Sequence, residues 1–441
     1  MAIISPFRAW RYDPDRASIQ KAVTQPYDKI TTAMQAAYYQ ASPYNLVRII
    51  LGQRLSGDNE AENVYTRAAG SFENWRRTGI LRQDREPSIY RYTQRFEVPG
   101  RVSGPSSASG KQAERQGFIA VGRIENYSAG VVFRHEQTLA KPKADRLDLL
   151  RATQAHFGQI FMLYGGAGKV DALLHSSSAP DIEVTDEYGV VHRVWKISDP
   201  SIISAVQAQM RDKKLIIADG HHRYETAIAY RNECRASAET GSGVPEPYDS
   251  VMMTFVDMDA PGLVILPTHR LVFGLPSFSA TQFGGIARRF FNVEDVDAGI
   301  DAERATTILQ NAGRAGTALL AVTAKRSFLL HTPRATGSAV FGRLSLRQQA
   351  LDVVQLHKCL LEGALKISEA AIRDQQNVSY YREAAEALEQ VQSGKAQAAF
   401  LVNPVRMSQV RDIAFASEVL PQKSTDFYPK LLSGLTIYAL E

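Results

Sequence analysis

Four ionisable side chains are crowded into one short stretch of the sequence, Asp219-Gly220-His221-His222-Arg223. An apolar run at 215–218 predicts a buried strand before this stretch, and apolar or small residues at helical spacing predict a helix over 224–235 after it. A glycine turn that leads into a helix presents free backbone N–H groups at the positive end of the helix dipole, where an anion is attracted. Arg223 would add a two-pronged contact to a phosphate. The alternative is that Asp219 only caps the helix and the histidines pack or face solvent. We favour the anion site, because four ionisable groups in one turn are a poor choice for packing.

A second cluster begins at His135-Glu136 and continues with Lys141, Lys143 and Arg146. The three cations would hold a phosphate while the carboxylate of Glu136 acts as a base. A solvated, charged loop before a helix explains the same spacing equally well. The second histidine of a His-Glu-x-x-His metalloprotease motif is missing from this cluster.

Three further segments carry polar side chains beside predicted elements. Thr268-His269-Arg270 follows a buried strand, at a typical ligand-facing strand end, although a turn with one hydrogen-bonded histidine fits as well. Asp28 would bring an acid from the N-terminal region, or would cap the helix predicted from Thr31. Residues 421–425, which include Lys423, and residues 428–430 form a polar, basic loop that either closes over a ligand or is a surface turn.

The elements that must position these residues alternate between helix and strand, which predicts a mixed α/β (α+β) fold. We expect a nucleotide-binding catalytic region at 1–275, with a flexible hairpin tip at 99–117, and a C-terminal α/β domain at 276–441. The predicted helices are 31–40, 60–78, 144–156, 202–212, 224–235 and 383–393. The predicted strands are 46–51, 89–98, 118–124, 131–133, 160–164, 215–218, 250–258, 263–266, 318–323, 328–331 and 398–402, with a further hairpin over 182–195.

The composition restricts the class of protein. The 441 residues are 44% hydrophobic and 22% charged, as in globular proteins of two or three units. The net charge of +5 is spread along the chain, which favours small anionic ligands over nucleic acid. No secretory signal or long apolar run occurs, so we expect a cytoplasmic protein without a membrane span. Two isolated cysteines, Cys234 and Cys359, argue against a thiolate zinc site. A P-loop, a nucleophile elbow and a Rossmann glycine fingerprint are also missing.

From end to end the chain resembles a bacterial and archaeal family known as domain of unknown function 1015. The resemblance rests on motifs that occur in the same order along this sequence. They are Phe7-Arg8-Ala9, Pro26-Tyr27-Asp28, Ser42-Pro43-Tyr44-Asn45, His135-Glu136-x-Thr138, Lys141-Pro142-Lys143-x-Asp145-Arg146-Leu147, Ala218-Asp219-Gly220-His221-His222-Arg223-Tyr224-Glu225-Thr226, Pro267-Thr268-His269-Arg270 and Pro421-Gln422-Lys423-Ser424-Thr425.

The Asp-Gly-His-His-Arg turn also resembles the Gly-x-x-Arg signature of the ParB/sulfiredoxin superfamily, which includes partition proteins, sulfiredoxins and free serine kinases. This resemblance implies a phosphate-binding core in which Gly220, His221, His222 and Arg223 cradle nucleotide phosphates. Sulfiredoxins have a reactive cysteine where this chain has His221, so sulfinic acid reduction is not expected. The kinase-like option remains.

The leading hypothesis is therefore a phosphotransferase that acts between ATP or ADP and a small hydroxyl metabolite, with free serine as the best single guess by analogy with the superfamily. Arg223 and Lys141 or Lys143 would supply positive charge, and Arg146, Thr268, His269, Arg270 and Lys423 are further candidates for binding the nucleotide. Glu136 or Asp28 would accept the hydroxyl proton, with His222 as a third catalytic candidate. A Mg²⁺ ion bridging the phosphates is expected, and Asp219 is its candidate ligand.

Two other hypotheses remain open at this point. A nucleotide-binding regulator of the partition type would need a helix-turn-helix and a basic face, and the sequence shows neither. A metal-dependent hydrolase would use His221, His222, His135 and Glu136, but adjacent histidines seldom bind one ion. The sequence decides neither the acceptor nor the phosphoryl donor. It is also compatible with a homo-oligomer, and it does not show whether the C-terminal domain reaches the site.

Overall fold

A computed structural model describes residues 1–99, 112–136, 140–237, 244–334 and 338–441, with the side chains of 140–142 and 338 left out. The fold is mixed α+β. Within the described residues the largest sheet has nine strands and contains both parallel and antiparallel pairs. In spatial order its strands are Val132–Phe133, Leu215–Asp219, Ile160–Tyr164, Ser250–Asp257, Gln112–Arg123, Ile89–Glu97, Val191–Ile197 and Ile182–Thr185, and Ile4–Ser5 also pairs with Gln112–Arg123.

A second sheet, of six described strands, is antiparallel throughout. Its strands, in spatial order, are Phe291–Val296, Ser327–Pro333, Ala318–Thr323, Ala398–Val402, His269–Val272 and Val378–Tyr381. The strand His269–Val272 thus precedes the boundary expected near residue 275 and yet pairs within this sheet. The division into two domains stays a prediction.

The last residues of the chain return to the first part of the molecule. Asp426–Tyr428 pairs antiparallel with Val264–Leu266, and Tyr438–Ala439 pairs with Ala155–His156. A third short pair joins Trp10–Tyr12 to Leu81–Gln83. The first of these pairings places the C-terminal loop beside the strand end at Asp219.

Helices cover the sheets and connect their strands. The helix His221–Ser237 buries Tyr224 and Ala227 in the same hydrophobic cluster as Leu215 and Ile217 of the strand that precedes it. The other α-helices are Ile19–Ala22, Thr32–Ala41, Val47–Ile50, Val64–Arg77, Ala140–Thr153, Lys169–Leu173, Pro200–Met210, Ala280–Ala287, Ala302–Gly313, Ser338–Phe341, Leu346–Gln349, Asp352–Gln355, Glu369–Arg373, Ala384–Gln392 and Met407–Phe415. Leu356–Ala364 is a π-helix, and Tyr27–Lys29, Tyr127–Ala129 and Pro247–Asp249 are 3₁₀ turns. None of the helices in the described ranges is long and apolar enough to cross a bilayer.

One predicted element has the wrong type. Residues 46–51 were expected to form a strand, but Val47–Ile50 is a helical turn with buried Val47, Ile49 and Ile50. A short apolar run fits a buried strand and a buried helix equally well, so periodicity could not decide. The side chain of Asn45 instead starts a helical turn, because its Oδ1 accepts a hydrogen bond from Val47 N at 2.9 Å.

Several predicted boundaries also move, among them the start of the helix predicted from residue 60, which begins at Val64. The expected hairpin tip at 99–117 is strand from Gln112 onward, and its residues 100–111 lie outside the described residues. The helix expected from residue 144 begins at Ala140 and ends at Thr153. The helix expected from Tyr224 already begins at His221, directly after the glycine turn.

Candidate functional site

A cavity of about 1030 Å³ opens where the strand Leu215–Asp219 ends and the helix His221–Ser237 begins. The N-terminal 3₁₀ turn, the start of the second sheet and the returning C-terminal loop complete its wall. Nine residues named from the sequence line it, namely Asp28, Glu136, Asp219, Gly220, His221, His222, Arg223, Thr268 and Lys423. Residues from five distant parts of the chain therefore meet in one place.

Gly220 makes the sharp turn between this strand and this helix. Its φ of +93° lies in a region that side chains rarely adopt, and a Cβ atom here would lie 3.0 Å from Nη2 of Arg223. The helix that follows has 17 residues, and the backbone N–H groups of its first turn have no partner within the helix. Its positive end is thus directed at the cavity.

The carboxylate of Asp219 is held between two cations. Oδ2 lies 3.0 Å from Nη2 of Arg223, and Oδ1 lies 3.8 Å from Nζ of Lys430. Burial alone would raise the pKa of Asp219, but Lys430, Arg223 and Lys29 hold it well below its usual value. Arg223 also donates to the backbone oxygen of Gln159. Both Nη atoms of the Arg223 guanidinium therefore bind protein groups, and one of these contacts holds Asp219 in position.

Lys430 joins this ion pair to a second one. Its Nζ lies 3.0 Å from Oδ1 of Asp426, whose Oδ2 accepts from Nε of Arg382 at 2.7 Å. Burial opposes the charge of Lys430, but Asp219 and Asp426 raise its pKa. Burial likewise raises the pKa of Asp426, yet Lys430, Arg382 and Lys29 lower it to about 2. Lys29 has a lowered pKa because it is buried and lies near Lys430.

Sequence reasoning missed four of these lining residues as site residues, and each for a physical reason. Arg382 is a single charged residue with no motif around it, and Lys29 and Asp426 directly follow the motifs at 26–28 and 421–425 without belonging to them. Lys430 lies in the polar loop that the sequence suggested for closing over a ligand. Only the long-range pairing of Asp426–Tyr428 shows that this loop reaches the cavity.

Glu136 lies in the cavity wall, where its side chain contacts the backbone of Lys423. Its Oε1 accepts a hydrogen bond from Lys423 N at 2.6 Å. Burial raises the pKa of Glu136, and the contact with Lys423 opposes this only in part. The neighbouring His135 is fixed by Nδ1 at 2.7 Å from Ile217 O and Nε2 at 2.8 Å from Thr425 Oγ1. Since a carbonyl can only accept, Nδ1 donates to it, and Nε2 accepts from the hydroxyl.

The two histidines at the helix start differ in their surroundings. His221 is 9% exposed, and its ring packs 4.9 Å from the ring of His135. Burial and then the proximity of His135 lower its pKa well below the usual value, so the ring is neutral. Its Nε2 is buried without a hydrogen-bond partner in the described part of the chain. His222 also lines the cavity, and burial lowers its pKa.

Other residues named from the sequence lie elsewhere. Lys143 pairs with Glu225, and Arg146 donates to Ile50 O at 2.6 Å and to Asp145. The side chain of Lys141 lies outside the described residues. His269 and Arg270 are buried behind the wall. Nδ1 of His269 accepts from Val402 N at 3.2 Å, and Arg270 donates to Lys423 O at 3.1 Å.

The donor groups do not suit a resident metal ion. Both oxygens of Asp219 face cations, and both ring nitrogens of His135 are hydrogen-bonded. No group of three histidine, cysteine or carboxylate ligands occurs among the residues that the structure describes. The expectation that Asp219 binds a metal, and the hydrolase built on His135, His221, His222 and Glu136, therefore lack a fitting ligand set.

The family model described as protein of unknown function DUF1015 matches residues 4–354 of the chain. The chain belongs to this family. The part matched to DUF1015 includes Asp28, Glu136, the 219–223 turn and Thr268, whereas Lys423 and Lys430 lie beyond it. The resemblance noted over 421–425 thus stays a prediction. No curated protein matches the DUF1015 chain significantly.

Solved structures show remote likeness to the DUF1015 chain. A conserved hypothetical protein from Pyrococcus furiosus is 12% identical, with 69% of this chain and 90% of that one covered and a TM-score of 0.33. A free serine kinase in complex with AMP is 13% identical, with 69% and 88% covered and a TM-score of 0.32. SbnI with a C-terminal truncation from Staphylococcus aureus is 9% identical, with 72% and 87% covered and a TM-score of 0.34. Scores this low carry no argument about function.

Proposed function

We propose that this protein transfers a phosphoryl group between a nucleotide and a small hydroxyl-bearing metabolite. The observation that carries the proposal is the meeting, in one cavity, of a long helix's N-terminus, the buried cation Lys430 and a carboxylate, Glu136, with a raised pKa. Phosphoryl transfer depends on positioning and charge neutralisation more than on covalent chemistry, and these groups supply both.

The size and lining of the cavity fit two substrates at once. Its volume of about 1030 Å³ lies at the upper end of the range for small-molecule sites. Tyr27, Tyr188 and Tyr380 line it and offer aromatic surface to a nucleobase. The N–H groups at the start of the helix His221–Ser237 lie at the positive end of its dipole, and we propose that phosphate oxygens bind there, beside His221.

The cations that line the cavity have different proposed roles. Arg223 fixes Asp219, and Asp219 in turn keeps Lys430 charged at the cavity wall. Lys430 and Lys29 then supply the positive charge that a phosphate needs, with Lys423 at the rim. In this arrangement the loss of Arg223 weakens phosphate binding through the position of Asp219 as well as through the lost charge.

Glu136 is the residue proposed to accept the hydroxyl proton. Burial raises its pKa, which brings a carboxylate closer to the proton affinity that general bases need near neutral pH. Asp28, which is exposed at the cavity rim, and His222 are the other candidates. Magnesium would arrive with the nucleotide phosphates, and the proposal requires no metal ligand from Asp219.

Free serine is the proposed acceptor, on the resemblance of the Gly220–Arg223 turn to that of the superfamily's kinases. The test is to incubate the protein with ATP or ADP, Mg²⁺ and either serine or a panel of hydroxyl metabolites, and to detect phosphorylated product by mass spectrometry. Glu136→Gln should lose the activity, and Glu60→Gln, an exposed glutamate distant in sequence, should keep it. Absence of nucleotide turnover with every acceptor would contradict the proposal.

A further inference from the structure

A second cavity, of about 440 Å³, lies in the C-terminal part of the chain. The helix Leu346–Gln349, the π-helix Leu356–Ala364, the helix Glu369–Arg373 and residues 419–422 contribute to its wall. Much of this wall is apolar, with Phe341 among the contributors. Its volume lies within the range of pockets that hold small molecules.

One polar atom of this cavity wall has no protein partner. His357 is 8% exposed, and its Nε2 is buried without a hydrogen bond to any described residue. His357 lines the cavity, and a buried polar side chain at a cavity wall without a protein partner is suited to a ligand. The residue lies on the π-helix, and such segments frequently occur at functional sites.

The charges at the cavity leave one arginine available. Lys358 is engaged by Glu362 at 2.9 Å and Glu369 at 3.2 Å, and Arg373 is engaged by Asp374 at 3.1 Å. Arg343 is exposed and has no ion pair within the described ranges. Burial and then the positive charges of Arg270 and Lys358 lower the pKa of His357 far enough to keep it neutral. The surroundings therefore favour an anion, with Arg343 as its counter-ion.

We propose that this cavity binds a small carboxylic acid with an apolar body, whose carboxylate pairs with Arg343 and accepts a hydrogen bond from Nε2 of His357. The apolar body would lie on Phe341 and Ile372. The proposed phosphoryl transfer shares only the wall residue Tyr380 with this cavity and needs no ligand in it, so the binding site can be tested independently of that function.

The occupant would act on the catalytic cavity through the segment 419–423. Val419 O accepts from Gln348 Nε2 at 2.9 Å in the wall of the second cavity. One residue later, Leu420 N donates to His135 O at 2.8 Å, and the N–H of Lys423 holds Glu136. Tyr380 lines both cavities. A ligand that stabilises this segment therefore stabilises the position of Glu136.

Binding can be tested with octanoate as the probe and octanol as its uncharged counterpart, each titrated against the fluorescence of bound anilinonaphthalene sulfonate. We expect octanoate to displace the dye from the wild-type protein, and Arg343→Gln to weaken this displacement about tenfold or more. Arg347→Gln, which removes a nearby arginine that does not line the cavity, should behave as wild type. Equal displacement by octanol, or unchanged displacement in Arg343→Gln, would overturn the proposal.

A second variant and a second measurement keep the test valid if Arg343→Gln does not fold correctly. His357→Phe should raise the melting temperature of the ligand-free protein, because it removes the unsatisfied atom, and should still weaken octanoate binding. Hydrogen exchange should show that octanoate protects the peptide containing Leu420 in the wild type but not in Arg343→Gln. Neither readout requires turnover, so a failure here differs from a failure of the proposed kinase. Unchanged exchange at Leu420 on saturation with octanoate would overturn the link to the catalytic cavity.

Discussion

Lys430 is the cation that links the two carboxylates of the candidate cavity, and its removal tests the site without any assumption about the reaction. Its side chain is only 9% exposed and serves both Asp219 and Asp426. The change Lys430→Met keeps most of the side-chain volume and deletes the charge. Two partly buried carboxylates then lose a shared counter-ion and keep one arginine each, which is destabilising because a charge away from water is costly to leave with less compensation.

The size of the effect follows from the pKa of Asp426. Burial would raise it, but Lys430, followed by Arg382 and Lys29, brings it to about 2 from an ordinary value of 3.8. That difference corresponds to about 2 kcal/mol of stabilisation of the charged form. Asp219 loses the same cation, but each carboxylate keeps an arginine, so we expect Lys430→Met to lower the free energy of unfolding at pH 7 by about 2–3 kcal/mol, less than for a buried charge that loses its only partner.

The loss should depend on pH in a definite direction. A carboxylate with a depressed pKa in the folded state stabilises the protein above its pKa in the unfolded chain, and this contribution disappears as pH falls towards the folded pKa. In Lys430→Met the pKa values of Asp219 and Asp426 rise, so both carboxylates can protonate under mild acid. The deficit of the variant should therefore be largest at neutral pH and should shrink between about pH 5 and pH 3.

Urea unfolding at pH 7 and at pH 4, followed by tryptophan fluorescence, measures both effects. The control is Lys21→Met, because Lys21 is exposed and has no ion pair among the described residues, and we expect it to lie within about 0.5 kcal/mol of wild type. The double variant Lys430→Met/Asp426→Asn should recover part of the loss. If Lys430→Met is as stable as Lys21→Met at pH 7, the reasoning about the buried charges is wrong.

Three further predictions concern the helix start and the proposed base. Glu136→Gln should lower kcat about 10²–10⁴-fold while leaving nucleotide affinity unchanged by calorimetry. Because burial raises the pKa of Glu136, the apparent pKa of the acidic limb in the wild-type pH–rate profile should lie above the ordinary value of 4.5. If Glu136→Gln turns over at the wild-type rate, Asp28 takes the role of base. Arg223→Ala should weaken nucleotide binding by about 2–4 kcal/mol, and normal affinity would show that this turn does not hold phosphate. Gly220→Ala should cost about 1–3 kcal/mol in urea unfolding because of its positive φ, and an unchanged midpoint would contradict the strained turn.

Local sequence patterns predicted the core of the candidate site well. The strand Leu215–Asp219 and the helix after it were expected, because a β-branched apolar run, a glycine and a helical apolar stripe are local signals. The helix predicted from Thr31 is present as Thr32–Ala41, and Thr31 rather than Asp28 caps it, with its side chain accepting from Met34 N. By contrast, residues 46–51 were assigned the wrong element, since burial on all sides removes the periodicity on which such predictions depend.

Charged side chains show where local reasoning ends. Lys143, Arg146 and Arg270 looked like phosphate ligands in the sequence, yet each is bound to protein groups of its own. Lys430 was expected only as part of a loop and Asp426 belonged to no motif, yet together they link Asp219 to Arg382 in the cavity wall. The sequence does not distinguish a charged residue that binds a ligand from one that binds a carbonyl oxygen. The two cases differ only in which groups surround the residue in the folded protein.

By itself, then, the sequence determined the mixed α+β class, the family and the strand–turn–helix that presents Asp219, Gly220 and His221, because each depends on residues close together in the chain. The tertiary structure decided which charges meet there. The pairing of Asp426–Tyr428 with Val264–Leu266 brings Lys430 to Asp219 across more than two hundred residues of chain. Pairing over that separation depends on packing and on backbone hydrogen bonds formed in the folded state, which no window of sequence contains.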